Sequence, residues 1–188
     1  IYNILSVIAL GINLSVPVEQ AASILEKFER VPGRLERVPN RRGLKIFVDY
    51  AHTDDALKNV LEALVEIKKR RLIVVFGCGG NRDQSKRPKM AEVAERFADL
   101  VIVTSDNPRQ EDPQEIITQI LKGFRFKDFR RVFVEVDRQR AISLAISLAS
   151  CDDIVLIAGK GHETTQTFAR QTIDFDDRKI AALACEGL

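Results

Sequence analysis

At 188 residues the chain can bury a sizeable core, and its length suggests one full domain with something left over. Its 29 basic and 27 acidic residues nearly cancel, to a formal charge of +2, so bulk electrostatics demand no nucleic acid and any anion binding must be local. No stretch reaches the roughly 18 consecutive apolar residues of a membrane span, and three scattered cysteines, Cys78, Cys151 and Cys185, fit a reducing cytoplasm better than a disulfide framework.

The first residue is not methionine, and Ile1, Ile4, Leu5, Ile8 and Ile12 already recur at helical spacing, so the sequence is expected to be a piece of a longer protein. Pro17 with Glu19 starts a second helix that carries Ala21, Ile24, Leu25 and Phe28 on one face. Two amphipathic helices cannot bury themselves alone; they need a missing N-terminal part or the following domain. Val31-Pro32-Gly33-Arg34 breaks the pattern, and the composition turns basic through Arg34, Arg37, Arg41 and Arg42, which places a domain boundary between residues 33 and 34.

From Lys45 onward apolar runs alternate with amphipathic stretches. Lys45–Val48, Leu72–Phe76, Leu100–Thr104, Val132–Val136 and Ile154–Ala158 read as strands, and Asp54–Lys69, Pro88–Ala98, Pro113–Phe124 and Arg138–Ala149 as helices. Gln171–Ile173 reads as a short edge strand, and Asp176–Cys185 as a closing helix that Asp176-Asp177-Arg178 would cap. The expected fold is α/β, a mostly parallel sheet with helices on both faces and right-handed crossovers. All strand-to-helix loops of such a sheet emerge on one side, so residues distant in sequence converge there.

Those loops hold the polar clusters. Asp49-Tyr50-Ala51-His52-Thr53 follows the first strand; Asp49 and His52 suit a phosphate or a metal-bound oxygen, with Thr53 or Asp54 capping the next helix. Gly77-Cys78-Gly79-Gly80-Asn81-Arg82-Asp83, followed by Lys86 and Arg87, offers approachable backbone and basic or amide groups for an anion, without the spacing of a dinucleotide fingerprint. Asp106-Asn107-Pro108-Arg109 puts an acid, an amide and a guanidinium at a strand's carboxyl end, where an arginine fork can take a carboxylate; the alternative is that Asp106 and Asn107 merely cap the following helix. Gly159-Lys160-Gly161-His162-Glu163 is not a P-loop, since Gly161 stands where Ser or Thr would bind magnesium; its Glu163 suits an ammonium group. Arg109 and Glu163 on one edge are the two anchors that a zwitterionic amino acid requires. The cysteines read as packed residues, and Arg125, Lys127, Arg130 and Arg131 as a solvated face.

These motifs, together with Val31-Pro32-Gly33-Arg34-Leu35-Glu36, resemble in order and spacing those of the Mur ligases over nearly the whole chain. The resemblance implies that residues 1–33 are the last helices of a central ATP-binding domain and residues 34–188 a Rossmann-like C-terminal domain that brings the amino acid. It implies a cytoplasmic, monomeric, ATP- and Mg2+-dependent amide ligase of peptidoglycan synthesis that acts through an acyl phosphate, with the metal held mainly by the central domain and this piece inactive alone. By position Asp49 and His52 match catalytic residues on the nucleotide and phosphate side, Arg34 borders the nucleotide, and Arg82, Asp106, Asn107, Arg109, Gly159 and Glu163 fall in the amino-acid pocket; no metal ligand is assigned. The Asp-Asn-Pro-Arg form is the one associated with adding meso-2,6-diaminopimelate to UDP-N-acetylmuramoyl-L-alanyl-D-glutamate, and neither nucleic acid nor membrane is implied. Asp54, Asn81 and Ser85 depart from the usual proline, aspartate and glycine. The alternatives are a lysine-adding ligase, a folate-adding ligase, or a non-catalytic Rossmann-like amino-acid-binding module.

Overall fold

A strand covered on both faces must be apolar on both, and the runs Leu72–Phe76 and Ile154–Ala158 meet that demand at every position. They form the middle of the sheet. The computed structural model describes residues 2–27, 31–125 and 131–187, and the chain divides into two compact units, Ile1–Val31 and Pro32–Leu188.

The first unit holds α1 (Tyr2–Asn13) and α2 (Val18–Glu26), the latter with Pro17 at its N-cap. The two helices pack together and bury Ala21, yet Ile4, Leu5, Leu10, Ile12 and Ile24 stay at least half exposed. Ile1 and Phe28, expected on the apolar faces, lie outside the described residues.

The second unit begins with β1 (Glu36–Arg37) and β2 (Lys45–Asp49), followed by α3 (Asp54–Ile67), β3 (Leu72–Phe76), α4 (Lys86–Phe97), β4 (Leu100–Val103), α5 (Pro113–Leu121), β5 (Val132–Val134), α6 (Arg138–Leu148) and β6 (Ile154–Ala158). A hairpin of β7 (Thr165–Thr167) and β8 (Thr172–Asp174) and a last helix, α7 (Asp177–Glu186), complete it. The sheet order is β1-β2-β6-β3-β4-β5, with every pair parallel except β1 on β2. The α/β expectation therefore holds. No helix among the described residues is long and apolar enough to cross a membrane.

Side chains alternate between two cores, as the pleat requires. Val74, Phe76, Leu156 and Ala158 point to α3, α4 and α5, where Leu57, Leu61, Met90 and Ile117 cover them. Ile73, Val75, Val155 and Ile157 point to α6 and α7, against Ile142, Ile146 and Ala181. The helices start where short polar side chains satisfy their first amides: Thr53, Asp112, Asp137 and Asp176 each accept a hydrogen bond from a backbone N–H of the following turn.

Several sequence expectations need correction. The strands of Leu100–Thr104 and Val132–Val136 stop at Val103 and Val134. Gln171–Ile173 does not extend the sheet; it falls in the separate β7–β8 hairpin, and the two edges of the sheet are β1 and β5. Asp106 and Asn107 cap nothing, since Asp112 is the N-cap of α5. In the basic cluster, the exposed Arg131 donates to the carbonyls of Ala98 and Asp99 at the end of α4, while Lys127 and Arg130 lie outside the described residues.

The cysteines also split. Cys78 is buried against Met90, Sγ to Sδ 3.6 Å, and burial pushes its thiol up to about 12. Cys185 is buried too, and burial raises its thiol. Cys151, expected to pack, is exposed in the turn before β6. A thiolate is the reactive form, so native protein should react with a thiol reagent such as dithionitrobenzoate at one fast site. Cys151→Ser should abolish the fast phase; a fast phase that survives it would place an accessible thiolate elsewhere.

Candidate functional site

The strands end level. Asp49 pairs with Ala158, Val75 with Ile157 and Phe76 with Val103, so the loops that follow emerge together on one edge. The chain leaves β6 toward the face of α6 and α7, whereas β2 and β3 lead into α3 and α4 on the other face. That reversal opens the edge beside β6, where ligands bind in open α/β sheets.

Beside β6 the centre is a side chain that sequence reasoning passed over. Lys160 is fully buried, and its Nζ donates to Asn107 Oδ1 (3.0 Å) and Glu163 Oε2 (3.1 Å), with Asp106 Oδ1 at 3.6 Å. Asn107 Nδ2 donates to the same Glu163 oxygen (2.9 Å), and Thr167 N donates to Asn107 Oδ1 (3.0 Å). Burial works against ionisation of Glu163, but Asn107, Lys160 and Arg109 outweigh it and hold its carboxyl below the ordinary glutamate range. Glu163 thus already has an ammonium group beside it, the chain's own. Asp106 is buried, its carbonyl accepts from Gln166 Nε2 (2.7 Å), and its Oδ1 has no hydrogen-bond partner among the described residues. Its Oδ2 lies against Gly159.

Arg109 has φ +53°, an uncommon setting for a residue with a side chain, held by its N–H on Thr167 O (3.0 Å) and a bridge to Phe168. Its Nη1 donates to Gly80 O (2.8 Å), and no carboxylate lies within ion-pair distance among the described residues. Arg82, exposed, lies on the same side of Gly79 as that guanidinium, since both border the position a Cβ there would take.

The glycine-rich loop is not the anion cradle that its composition suggests. A Cβ on Gly80 would lie 1.9 Å from Pro108 O, and one on Gly79 would lie 2.8 Å from Arg109 Nη1. The glycines let this loop interlock with the Asp106–Arg109 loop, backed by Gly80 N on Asn107 O (2.9 Å). The groups behind them are engaged as well. Arg87, fully buried, donates to both Glu111 oxygens and to Gln119 and Gly79 O; Lys86 Nζ donates to His52 O (2.7 Å); Asn81 Oδ1 accepts from Gln110 N. Asn81, at φ +53°, takes the left-handed turn that asparagine tolerates. Of that set Arg82 is exposed and has no hydrogen-bond partner among the described residues.

On the β2 side, both oxygens of Asp49 are taken by backbone amides, Oδ2 by Leu35 N (2.6 Å) and Oδ1 by Ala51 N (2.8 Å). Burial raises its carboxyl above the ordinary range despite those bonds and Arg34. Asp49 thus ties its loop together, one oxygen to Leu35 and the other to Ala51. His52 Nδ1 lies 2.9 Å from Tyr50 O; because a carbonyl only accepts, Nδ1 carries the proton and Nε2 is the acceptor of the neutral ring. Tyr50 stacks near His52 (4.7 Å between ring centres) and His162 (5.3 Å), and the Arg34 guanidinium sits 5.0 Å over its ring. Gly161 packs on Tyr50 and Gly33, so the Gly159–Glu163 loop joins this aromatic and cationic cluster to the Lys160 cluster.

A buried ion pair fixes the edge from behind. Arg138 Nε and Nη2 donate to the two oxygens of Asp177 (2.9 and 2.8 Å), while its Nη1 and Nη2 reach Ser105 O, just past β4, and Ala158 O, the end of β6. Both partners are inaccessible to solvent. A cleft of about 910 Å³ opens beyond it, lined by Ser105, Arg138, Gln166, Phe168, Phe175 and Lys179, and none of the residues expected in the site lines it. Among the described residues no three His, Cys, Asp or Glu side chains converge to hold a metal ion.

Residues 33–161 match the family described as Mur ligase, glutamate ligase domain. The chain belongs to this family. Curated Mur relatives include the UDP-N-acetylmuramoyl-L-alanyl-D-glutamate--2,6-diaminopimelate ligases of Syntrophomonas wolfei, 47% identical over all of this chain and 38% of the relative, and of Coxiella burnetii, 50% identical over 98% of this chain and 37% of the relative. A solved structure of a ligase of that name superposes with a TM-score of 0.78 at 37% identity, covering 96% of this chain and 37% of that one. The chain thus spans well under half the length of these relatives. The matched Mur segment stops at Gly161, yet Glu163, Gln166, Thr167 and Asp177 beyond it bind the site loops.

Proposed function

We propose that this chain is the amino-acid-adding part of an ATP-dependent amide ligase that joins meso-2,6-diaminopimelate to UDP-N-acetylmuramoyl-L-alanyl-D-glutamate in peptidoglycan synthesis. In this reading residues 1–33 belong to a central ATP-binding domain and residues 34–188 form the C-terminal domain. The observation that carries it is Arg109, a guanidinium held by Gly80 O beside Asn107 and Glu163, with no carboxylate of the chain paired to it among the described residues. Diaminopimelate has a distal carboxylate that lysine lacks, and an arginine fork is suited to it. The names of the similar ligases support the same substrate.

The chemistry assigned to this part is binding and orientation. Glu163 takes a substrate ammonium, Asn107 Nδ2 and Arg82 take carboxylate oxygens, and Arg109 takes the distal carboxylate. Across the Gly159–Glu163 loop, Arg34, Tyr50 and the Nε2 face of His52 form the nucleotide and phosphate side, with Asp49 holding the loop that carries them. The rest of the protein would bind ATP and Mg2+, which would supply the phosphate that activates the dipeptide carboxylate, in the cytoplasm; the substrate's second amino group, uncharged and not the one on Glu163, would attack the acyl carbon and release phosphate. Two cations for two carboxylates, and one carboxylate for an ammonium, match the zwitterion.

The test is incorporation by the full-length protein with ATP, the UDP-muramoyl dipeptide, and either meso-2,6-diaminopimelate or L-lysine. Diaminopimelate should be preferred by roughly a hundredfold or more, since a polar pocket that loses its partner discriminates strongly. Preference for lysine would move the assignment to a lysine-adding ligase. Incorporation of neither would leave an amino-acid-binding module.

A further inference from the structure

The Lys160 side chain has three donors, no acceptor and no exposed surface, and among the described residues it bonds or pairs with oxygens of Asn107, Glu163 and Asp106. Its bond to Asn107 settles which way that amide points. The atom that receives both Lys160 Nζ and Thr167 N must be the oxygen, and the atom facing Glu163 Oε2, which only accepts, must be the nitrogen. Asn107 therefore offers only N–H to a ligand. Glu163 is bound on one side alone: Oε2 receives Lys160 and Asn107, and Oε1 has no hydrogen-bond partner among the described residues.

We infer that Lys160 is a positioning residue that sets the polarity of the amino-acid pocket, fixing Asn107 as a donor for substrate carboxylate and leaving Glu163 Oε1 as the acceptor for substrate ammonium. This rests on the amino-acid-binding reading above. Without Lys160 only Thr167 N is left to hold the amide oxygen, which weakens the donor orientation of Asn107, and Glu163 loses its nearest cation. A buried lysine is costly unless paired, and its pairing here is wholly with groups of the pocket. The charged groups around Glu163 are Lys160 on its own loop, Arg109 and Asp106 after β4, and Arg138 at the start of α6.

The experiment uses the full-length protein with Lys160→Met, and with Lys160→Gln, which keeps donors without charge should the first fail to fold. KM for diaminopimelate should rise about ten- to a hundredfold, the effect of losing hydrogen bonds to a charged group, while KM for ATP stays within about twofold. The acid limb of the kcat/KM profile for diaminopimelate should move to higher pH, because the Glu163 carboxyl is no longer held down. In a cycle with Glu163→Gln, the double variant should be little worse than Glu163→Gln alone, as coupled groups require. Unchanged KM and acid limb, or additive losses, in a protein whose wild type incorporates diaminopimelate would overturn the role of Lys160 and leave the function standing. A wild type that incorporates no amino acid and binds none would overturn both.

Discussion

If the proposed function holds, replacing Arg109 by methionine in the full-length protein should lower kcat/KM for meso-2,6-diaminopimelate by roughly a hundred- to a thousandfold, the expected penalty for leaving a desolvated carboxylate without its cation. Methionine is unbranched like arginine and meets the same left-handed backbone at φ +53°, so strain changes little and the comparison isolates the guanidinium. Lysine as substrate should lose far less, and the preference between the two should collapse. KM for ATP should barely move, because Arg109 lies with Gly80 and Asn107, apart from the Arg34 and Tyr50 cluster. Competition between the two amino acids, read as product ratio, gives the answer directly. Equal losses for both amino acids would mean that Arg109 does not read the distal carboxylate.

The second large effect concerns the pair behind the edge. Asp177→Asn leaves Arg138 charged and buried with half its partner, and should destabilise the second unit by roughly 3–5 kcal/mol. For a body of this size that lowers Tm by on the order of 10 °C. The same variant should raise KM for diaminopimelate under conditions where it is folded, since Arg138 also holds Ser105 O and Ala158 O, the roots of the two pocket loops.

Asp153 provides the contrast. It is buried at the opposite edge, where its carboxylate accepts from Arg71 N, Nε and Nη2 and from Ser150 N. Asp153→Asn should cost roughly 1.5–3 kcal/mol and leave KM alone. Burial works against the Asp153 charge, but those bonds outweigh it and hold the carboxyl below its ordinary value of 3.8. Its contribution is therefore present above that value and lost as pH falls through the lower folded one, so acid unfolding of wild type should include a step that Asp153→Asn lacks. Denaturation curves from pH 2 to 7, at roughly unit intervals across the carboxylate range, would show it. If both aspartate variants changed KM alike, the clamp would be no more than a stability element.

The strands and helices of the second unit are legible because their burial is written in short-range patterns, such as five apolar residues in a row at Leu72–Phe76. What was not legible depends on partners far away in sequence. Lys160 reads as a loop lysine until Asn107, 53 positions earlier, comes to meet it, and Arg138 reads as an ordinary helix start until Asp177, 39 positions later, does. The two-residue β1 and the threonine-rich β7 and β8 have no apolar alternation; they are recruited by neighbours that already exist. The glycine-rich loop misled for a related reason. Glycine signals close approach but does not say to what, and here it is another loop of the same chain.

That interlock bears on how selectivity can change over time. Gly80 and Arg109, 29 positions apart, touch through a carbonyl and a guanidinium, and no side chain fits at Gly80 while Pro108 stays in place. The two loops therefore pack as one part. A relative that came to prefer another amino acid would have to revise both together, and grafting Asp106–Arg109 onto a lysine-adding scaffold without Gly77–Asp83 would transplant a lock without its housing.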